Sequence, residues 1–369
     1  MKNNATVELQ NFFYDKRVLV TGHVTYLYSW LCILLHKMGA RLIGFSIQEP
    51  DIPNLYKEAD VHEFMHVYVE RTSNMDVLER INKEFQPEIV IQLSSICGYV
   101  ENHDVRGLYM FNLPRVLNTL EMSRQSSHVR VFVNLIPDYL DNTILRKCNI
   151  TKTGEIKLMM GSFRLIEFLT AGYRNAYFNP ENHDSHKKSF VNLSFLNPIG
   201  GGDWSRDNTL KNYFDSLEKN EKKLIVCPGS RHSLIHVIDV MMKVLDIVYK
   251  LYTPSKNEIV DYKMISQDSF LKDEVWMAEF LKDLYHDKNF TIKTDQKFLF
   301  DETLTTDMFH MPDYKQITDW VPRWDVRTAL VKTIEWYQAR ERGANMQRYS
   351  FNQIDEFLDR QQPISLPLL

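Results

Sequence analysis

The chain has 369 residues, 44% of them hydrophobic and 25% charged, with a formal net charge of −4. That is ordinary globular composition, long enough for one large core or two smaller ones. No stripe of Lys and Arg runs along it, which argues against nucleic acid as a partner, and the short basic pairs Lys187-Lys188 and Lys222-Lys223 read as solvated faces.

Residues 17–22 read as a buried strand and 29–38 as a helix that Gly39 ends. Strands follow at 41–47 and near 65–69, a helix at 75–85 and a strand at 88–93. A long helix at about 106–123, a strand at 129–135, a second long helix at 155–177 and a strand at 190–196 complete the first half. Strict alternation with near-continuous apolar strands predicts an α/β fold, a doubly wound, Rossmann-like parallel sheet covered on both faces. Such a sheet places its ligand crevice at the carboxyl ends of the strands. After Pro198 the pattern loosens into a turn-rich loop, 200–204 (Gly-Gly-Gly-Asp-Trp), then helices at 237–252 and 272–285 among short strands. The expected organisation is a dinucleotide-binding-type domain over 1–198, to which about 236–266 return. A smaller mixed α/β lobe spans 199–345, and a C-terminal tail spans 346–369.

Cys32, Cys97, Cys148 and Cys227 are too far apart for zinc spacing, so they read as reduced thiols and no metal site is expected. The first residues lack the apolar core of a signal peptide, and the longest apolar run, near 30–35, is far short of the ~20 residues of a membrane span. A soluble, cytoplasmic protein is expected.

Several strings carry more than element order. They are 18–23 (Val-Leu-Val-Thr-Gly-His), 87–93 (Pro-Glu-Ile-Val-Ile-Gln-Leu), 177–180 (Tyr-Phe-Asn-Pro), 318–324 (Thr-Asp-Trp-Val-Pro-Arg-Trp) and 333–337 (Thr-Ile-Glu-Trp-Tyr). In this order they resemble the extended short-chain dehydrogenases, the NAD-dependent epimerase/dehydratase family. With 199–204 (Ile-Gly-Gly-Gly-Asp-Trp) and 29–31 (Ser-Trp-Leu) the chain most resembles the CDP-glucose 4,6-dehydratases, from about residue 13 to 337. The resemblance implies a reaction in which NAD oxidises C4 of a sugar nucleotide, water leaves across C5 and C6, and the hydride returns to C6. It also implies a Tyr-x-x-x-Lys pair on the second long helix and a Thr or Ser at the end of the fifth strand, which handle the C4 proton.

Those positions are altered in this chain. The family's Gly-x-x-Gly-x-x-Gly loop reads 22–28 (Gly-His-Val-Thr-Tyr-Leu-Tyr): Gly22 is kept, while Thr25 and Tyr28 replace the second and third glycines. Tyr26 and Tyr28 are expected to fill the vacated groove. Gln48 takes the place of the ribose-binding carboxylate and can still bond a hydroxyl. Counting back from 177–180, the tyrosine position is Met159 and the lysine position Phe163, neither able to transfer a proton. The strand-five hydroxyl is replaced by Ile136, with Asp138 as a possible remnant acid. On the substrate side, Arg231 lies one place early in 230–237 (Ser-Arg-His-Ser-Leu-Ile-His-Val), His236 reads as structural, and Asp203 of the glycine loop is a further candidate.

Losses confined to cofactor and proton-transfer positions, with the framework strings kept, point to a maintained fold released from its chemistry. The leading expectation is a non-catalytic homologue, a scaffold or regulatory partner in nucleotide-sugar metabolism. No cofactor is expected, with NAD only if the groove survives in altered form. Members of this fold pair through two long helices, here about 106–123 and 155–177, so a homodimer or heterodimer is expected. The alternatives are a cofactor-free sugar-nucleotide binder, or an active or altered NAD-dependent dehydratase or epimerase, the latter using His23, Asp138 or His232 in roles that no spacing assigns.

Overall fold

The computed structural model describes residues 4–46, 53–69, 75–93, 105–137, 153–196, 198–204, 209–218, 223–226, 231–255, 258–284, 291–294 and 314–359. After a first helix, α1 (Asn4–Phe13), the chain alternates β1 (Arg17–Thr21), α2 (Tyr26–Lys37), β2 (Arg41–Ser46), β3 (His66–Val69), α3 (Met75–Glu84), β4 (Ile89–Leu93), α4 (Val105–Gln125), β5 (Val131–Pro137), α5 (Thr153–Tyr177) and β6 (Ser189–Phe195). The second half carries α6 (Thr209–Glu218), β7 (Lys223–Val226), β8 (Arg231–Ser233), α7 (Val237–Tyr252), β9 (Tyr262–Met264), β10 (Leu271–Asp273), α8 (Glu274–Leu284), β11 (Thr291–Thr294), β12 (Lys315–Ile317), α9 (Val326–Glu341) and α10 (Met346–Asp359).

Eight strands form one sheet in the order β12-β9-β6-β5-β4-β1-β2-β3, and every pairing in it is parallel. The strand order reverses between β1 and β4, so the switch-point crevice opens above Thr21 and Leu93. Alternate side chains divide the core into two layers. Val18, Val20, Ile89 and Ile91 join α2, α7 and α10 on one face. Leu19, Val90, Phe132 and Phe190 meet α3, α4 and α5 on the other. The doubly wound architecture is therefore the one the strand pattern implied.

Several local readings change. The helix expected from 29 begins at Tyr26, with Thr25 as N-cap, because no glycine remains to interrupt it. Residues 272 and 273, expected as the start of a helix, belong to β10, which pairs antiparallel with β8. β12 as well as β9 joins the large sheet. Residues 346–359, expected as tail, form α10, which buries Met346, Ile354, Phe357 and Leu358 against the core. Among the described residues no helix is long and apolar enough to cross a membrane.

The Lys187-Lys188 pair is not a solvated face. Lys187 is exposed in the left-handed region at φ 54° and pairs with Asp184. Lys188 is buried, and its ammonium donates to the carbonyls of Ser123 (3.0 Å), Arg124 (3.1 Å) and Ser126. It closes the C-terminus of α4, where last-turn carbonyls and the negative end of the dipole favour a cation. Burial pulls its pKa down to about 8, and all three of its donors are used. Lys188→Met keeps the volume and leaves those carbonyls uncapped. It is expected to cost about 2 kcal/mol in urea unfolding; unchanged stability would mean that the cup is solvated.

Candidate active site

The crevice is built from the ends of β1 and β4. Thr21 Oγ1 accepts from the Leu93 amide at 3.0 Å, tying the two strand ends together. Gly22 follows at φ 71°, a conformation glycine adopts without strain. A Cβ on Gly22 would lie 2.6 Å from Leu93 Cδ2, so the Leu93 side chain rests directly on the glycine.

Thr25 does not use its side chain to cap α2. Its Oγ1 donates back to the Gly22 carbonyl at 3.0 Å, and Ser29 Oγ is spent on the carbonyls of His23 and Thr25. The first-turn amides of α2 therefore keep their outward direction, with the positive end of the helix dipole behind them.

Tyr28 is fully buried. Arg115 from α4, also fully buried, is the charge that acts on it. Arg115 Nη2 donates to the Leu93 carbonyl at 3.0 Å and to Asn112 Oδ1 at 3.3 Å. Gln92 Nε2 shares that carbonyl at 2.7 Å. Burial lowers the Arg115 pKa to about 10, which leaves it protonated at neutral pH.

The glycine loop at 200–204 closes the crevice from the side. A Cβ on Gly200 would meet Tyr26 Oη at 2.6 Å, and Trp30 Nε1 donates to the Gly201 carbonyl at 2.9 Å. Asp203 is buried. Its amide donates to Tyr337 Oη at 3.0 Å and its carbonyl accepts from the same hydroxyl at 2.8 Å. Arg231 lies on β8 opposite Asp273 in register, and its neighbour His232 is buried 3.1 Å from Glu274 Oε1. His236 is the N-cap of α7, its Nδ1 accepting from the Ile238 amide at 3.3 Å.

No protein-family model matches the chain. It is 24% identical over 364 residues to CDP-glucose 4,6-dehydratase of Salmonella typhimurium, covering 95% of this chain and 98% of that protein. An epimerase from Methanothermobacter thermautotrophicus superposes with a TM-score of 0.60 at 17% identity, over 92% of this chain and 97% of its own. UDP-glucose 4-epimerase of Thermotoga maritima, solved with UDP-glucose, gives 0.62 at 14% identity over 88% and 99%. A Bordetella bronchiseptica enzyme solved with NAD+ and UDP gives 0.59 at 16% identity over 94% and 98%. The chain is thus similar over nearly its whole length to a nucleotide-sugar dehydratase, and it shares the fold of the solved epimerases.

Ile136 of β5, expected at the hydroxyl position, is fully buried in the sheet. Phe163 of α5, expected at the lysine position, is 1% exposed. Met159, expected at the tyrosine position, lies one turn earlier on the same helix. Gln48 and Asp138 lie outside the described residues. Among the described residues no group of three or more His, Cys, Asp or Glu could hold a metal.

The described residues fit NAD poorly. The crevice floor at Gly22 is covered by Leu93, the second glycine position carries a threonine, and the third carries a ring packed beside a buried guanidinium. Next to it the His23 ring lies over Gly44, where a Cβ would be 2.6 Å from Nδ1, and edge-on to Tyr56. Sequence reading missed Arg115, because a lone arginine in an amphipathic helix gives no sign of burial.

Burial lowers the His23 pKa from 6.5 to about 4. A depressed folded-state value means that the neutral ring's contribution is fully present above about 6.5 and is lost as pH falls from there toward 4. Over that window this one group adds a slope of up to about 1.4 kcal/mol per pH unit. Asp239, raised by burial to about 7, titrates there with the opposite sign, so the His23 part is read as a difference. His23→Leu is expected to be less acid-sensitive than the parent between pH 6 and 4 in parallel denaturant titrations. Identical slopes would place His23 in solvent.

Proposed function

We propose that this chain no longer performs dehydration and acts as a binding or scaffold partner in nucleotide-sugar metabolism. The observation that carries the reading is the burial of apolar side chains at Ile136 and Phe163, the two described residues that the resemblance puts at proton-transfer positions. A hydrocarbon cannot accept the C4 proton, and general base catalysis contributes ~10²–10⁴-fold on its own. The crowding around Gly22 and Tyr28 supports the further step that NAD is not held in the ordinary groove.

The partner surface is the exposed side of α4 and α5. Met110 and Leu117 on α4, and Leu158, Leu165 and Phe168 on α5, recur at helical spacing and face outward, Phe168 at 72% exposure. An apolar stripe shared by two packed helices suits the same helix pair of a second subunit, from this chain or from an active homologue.

The test is to incubate the purified protein with CDP-glucose and NAD, follow the 4-keto product by absorbance, and measure co-purified dinucleotide by mass spectrometry. No product and no dinucleotide are expected. Turnover above background sinks the reading. For the surface, light scattering is expected to give a dimer that Phe168→Asp converts to monomer; a monomeric parent removes self-pairing and leaves the active homologue.

A further inference from the structure

A buried guanidinium normally has a carboxylate, because an uncompensated charge in a low-dielectric interior is costly. Arg115 has none among the described residues. Its bonds go to one carbonyl and one amide oxygen, and the other group acting on its charge is the Tyr28 phenol. Here three buried donor atoms have no acceptor among the described residues, Arg115 Nε, Asn112 Nδ2 and Tyr28 Oη, against one unpartnered acceptor, Gln92 Oε1. These atoms belong to α2 and α4, on either side of the β4 end. Donors in excess around one positive charge, with no acid among the described residues there, constitute an environment for an anion.

A second feature points the same way. Leu93, whose carbonyl Arg115 holds, rests on Gly22, and three residues further on α2 begins with a first turn that Thr25 does not cap. The positive end of a twelve-residue helix thus follows the glycine on which Leu93 rests. An oxyanion fits better than a halide, since the guanidinium fork and an amide N–H from α4 and a phenol O–H from α2 suit several acceptor oxygens.

We propose that Arg115, Asn112 and Tyr28 form an oxyanion site that takes one phosphoryl group, free or as the phosphate of a nucleotide. It does not depend on the loss of dehydratase chemistry, and the substitutions at the glycine positions created it: a glycine at 28 would supply no hydroxyl. The site replaces backbone cradling of phosphate with a side-chain charge.

The experiment is thermal unfolding of the full chain at constant ionic strength, with sodium chloride exchanged stepwise for sodium phosphate, and separately with CDP added. Phosphate is expected to raise Tm by about 2 °C at ten times its dissociation constant. In Arg115→Met the rise is absent, and in Tyr28→Phe or Asn112→Leu the half-saturating concentration increases at least three-fold. A response to CDP at lower concentration than phosphate identifies a nucleotide as the source; a response to phosphate alone identifies the free anion. General salting-out by phosphate raises parent and variants equally, so equal responses overturn the proposal, as does a parent Tm that moves with neither probe. Should Arg115→Met fail to fold, Tyr28→Phe, which keeps the ring, decides the matter by the same criterion. Failure here leaves the turnover assay untouched, so the two readings fail separately.

Discussion

Gly201→Ala is expected to cost about 3 kcal/mol or more and to leave little folded protein at 37 °C. A Cβ at this position would stand 2.0 Å from Trp336 Cγ and 2.2 Å from Cδ2. Relief would have to come from one of the two walls. Trp336 is fully buried and its indole donates to Ser350 Oγ at 3.0 Å, which fixes it to α10. On the other side the Gly201 carbonyl is held by Trp30 on α2. Neither ring can retreat without breaking a buried hydrogen bond, so overpacking at this position exceeds the usual range. Urea unfolding of Gly201→Ala beside Gly172→Ala makes the comparison internal, since Gly172 has open space around its Cα and its substitution is expected to be neutral or slightly stabilising. Equal midpoints for the two would show that the loop relaxes freely.

Asp261→Ala is expected to cost about 3 kcal/mol, the price of leaving a largely buried cation without its carboxylate. Asp261, in the approach to β9, pairs both oxygens with Arg174 of α5 and accepts from the Asn192 amide at 2.7 Å and from Asn192 Nδ2 at 3.1 Å. Asn192 also donates to the Glu167 carbonyl, and the Glu167 carboxylate meets Arg164 at 2.6 Å and the Tyr314 hydroxyl at 2.6 Å. Burial raises the Glu167 pKa, with Arg164 and Tyr314 pulling against it. The cluster therefore welds α5 to β6 and to the segment before β12. Because the loss in Asp261→Ala comes from the stranded Arg174, the double variant Asp261→Leu with Arg174→Met is expected to recover most of it. A double variant as unstable as the single one would assign the effect to packing and not to charge.

The fold was legible because the strands of the large sheet are near-continuous apolar runs, buried on both faces, and because framework strings kept their order. β9 and the β12 register were not, since three-residue strands such as Tyr262–Met264 carry too few positions to show a period. The burial of Tyr28 was legible, because a large apolar ring stands there in the first turn of an apolar helix. Its counterpart Arg115 was not: charge on a helix reads as a solvated face until a neighbouring element covers it. Lys188 was misread for the same reason, its carbonyl cup being assembled from residues more than sixty positions away. His236 was recognisable as structural because its position directly before an apolar-periodic helix is that of an N-cap.

The joint made by Arg323 has a consequence for biosynthesis. Its guanidinium donates to the Phe357 carbonyl in α10 and to Thr6 Oγ1 in α1 at 3.4 Å, so one side chain clasps segments more than three hundred residues apart. The face of α2 that buries Trp30 is completed only by the glycine loop, α9 and α10. During translation this apolar surface waits uncovered for nearly the whole length of the message, while the opposite face, closed by α3, α4 and α5, is complete by residue 195. The nascent chain thus emerges with one finished side and one adhesive side, and its demand for chaperones falls in the interval between β6 and the last helix.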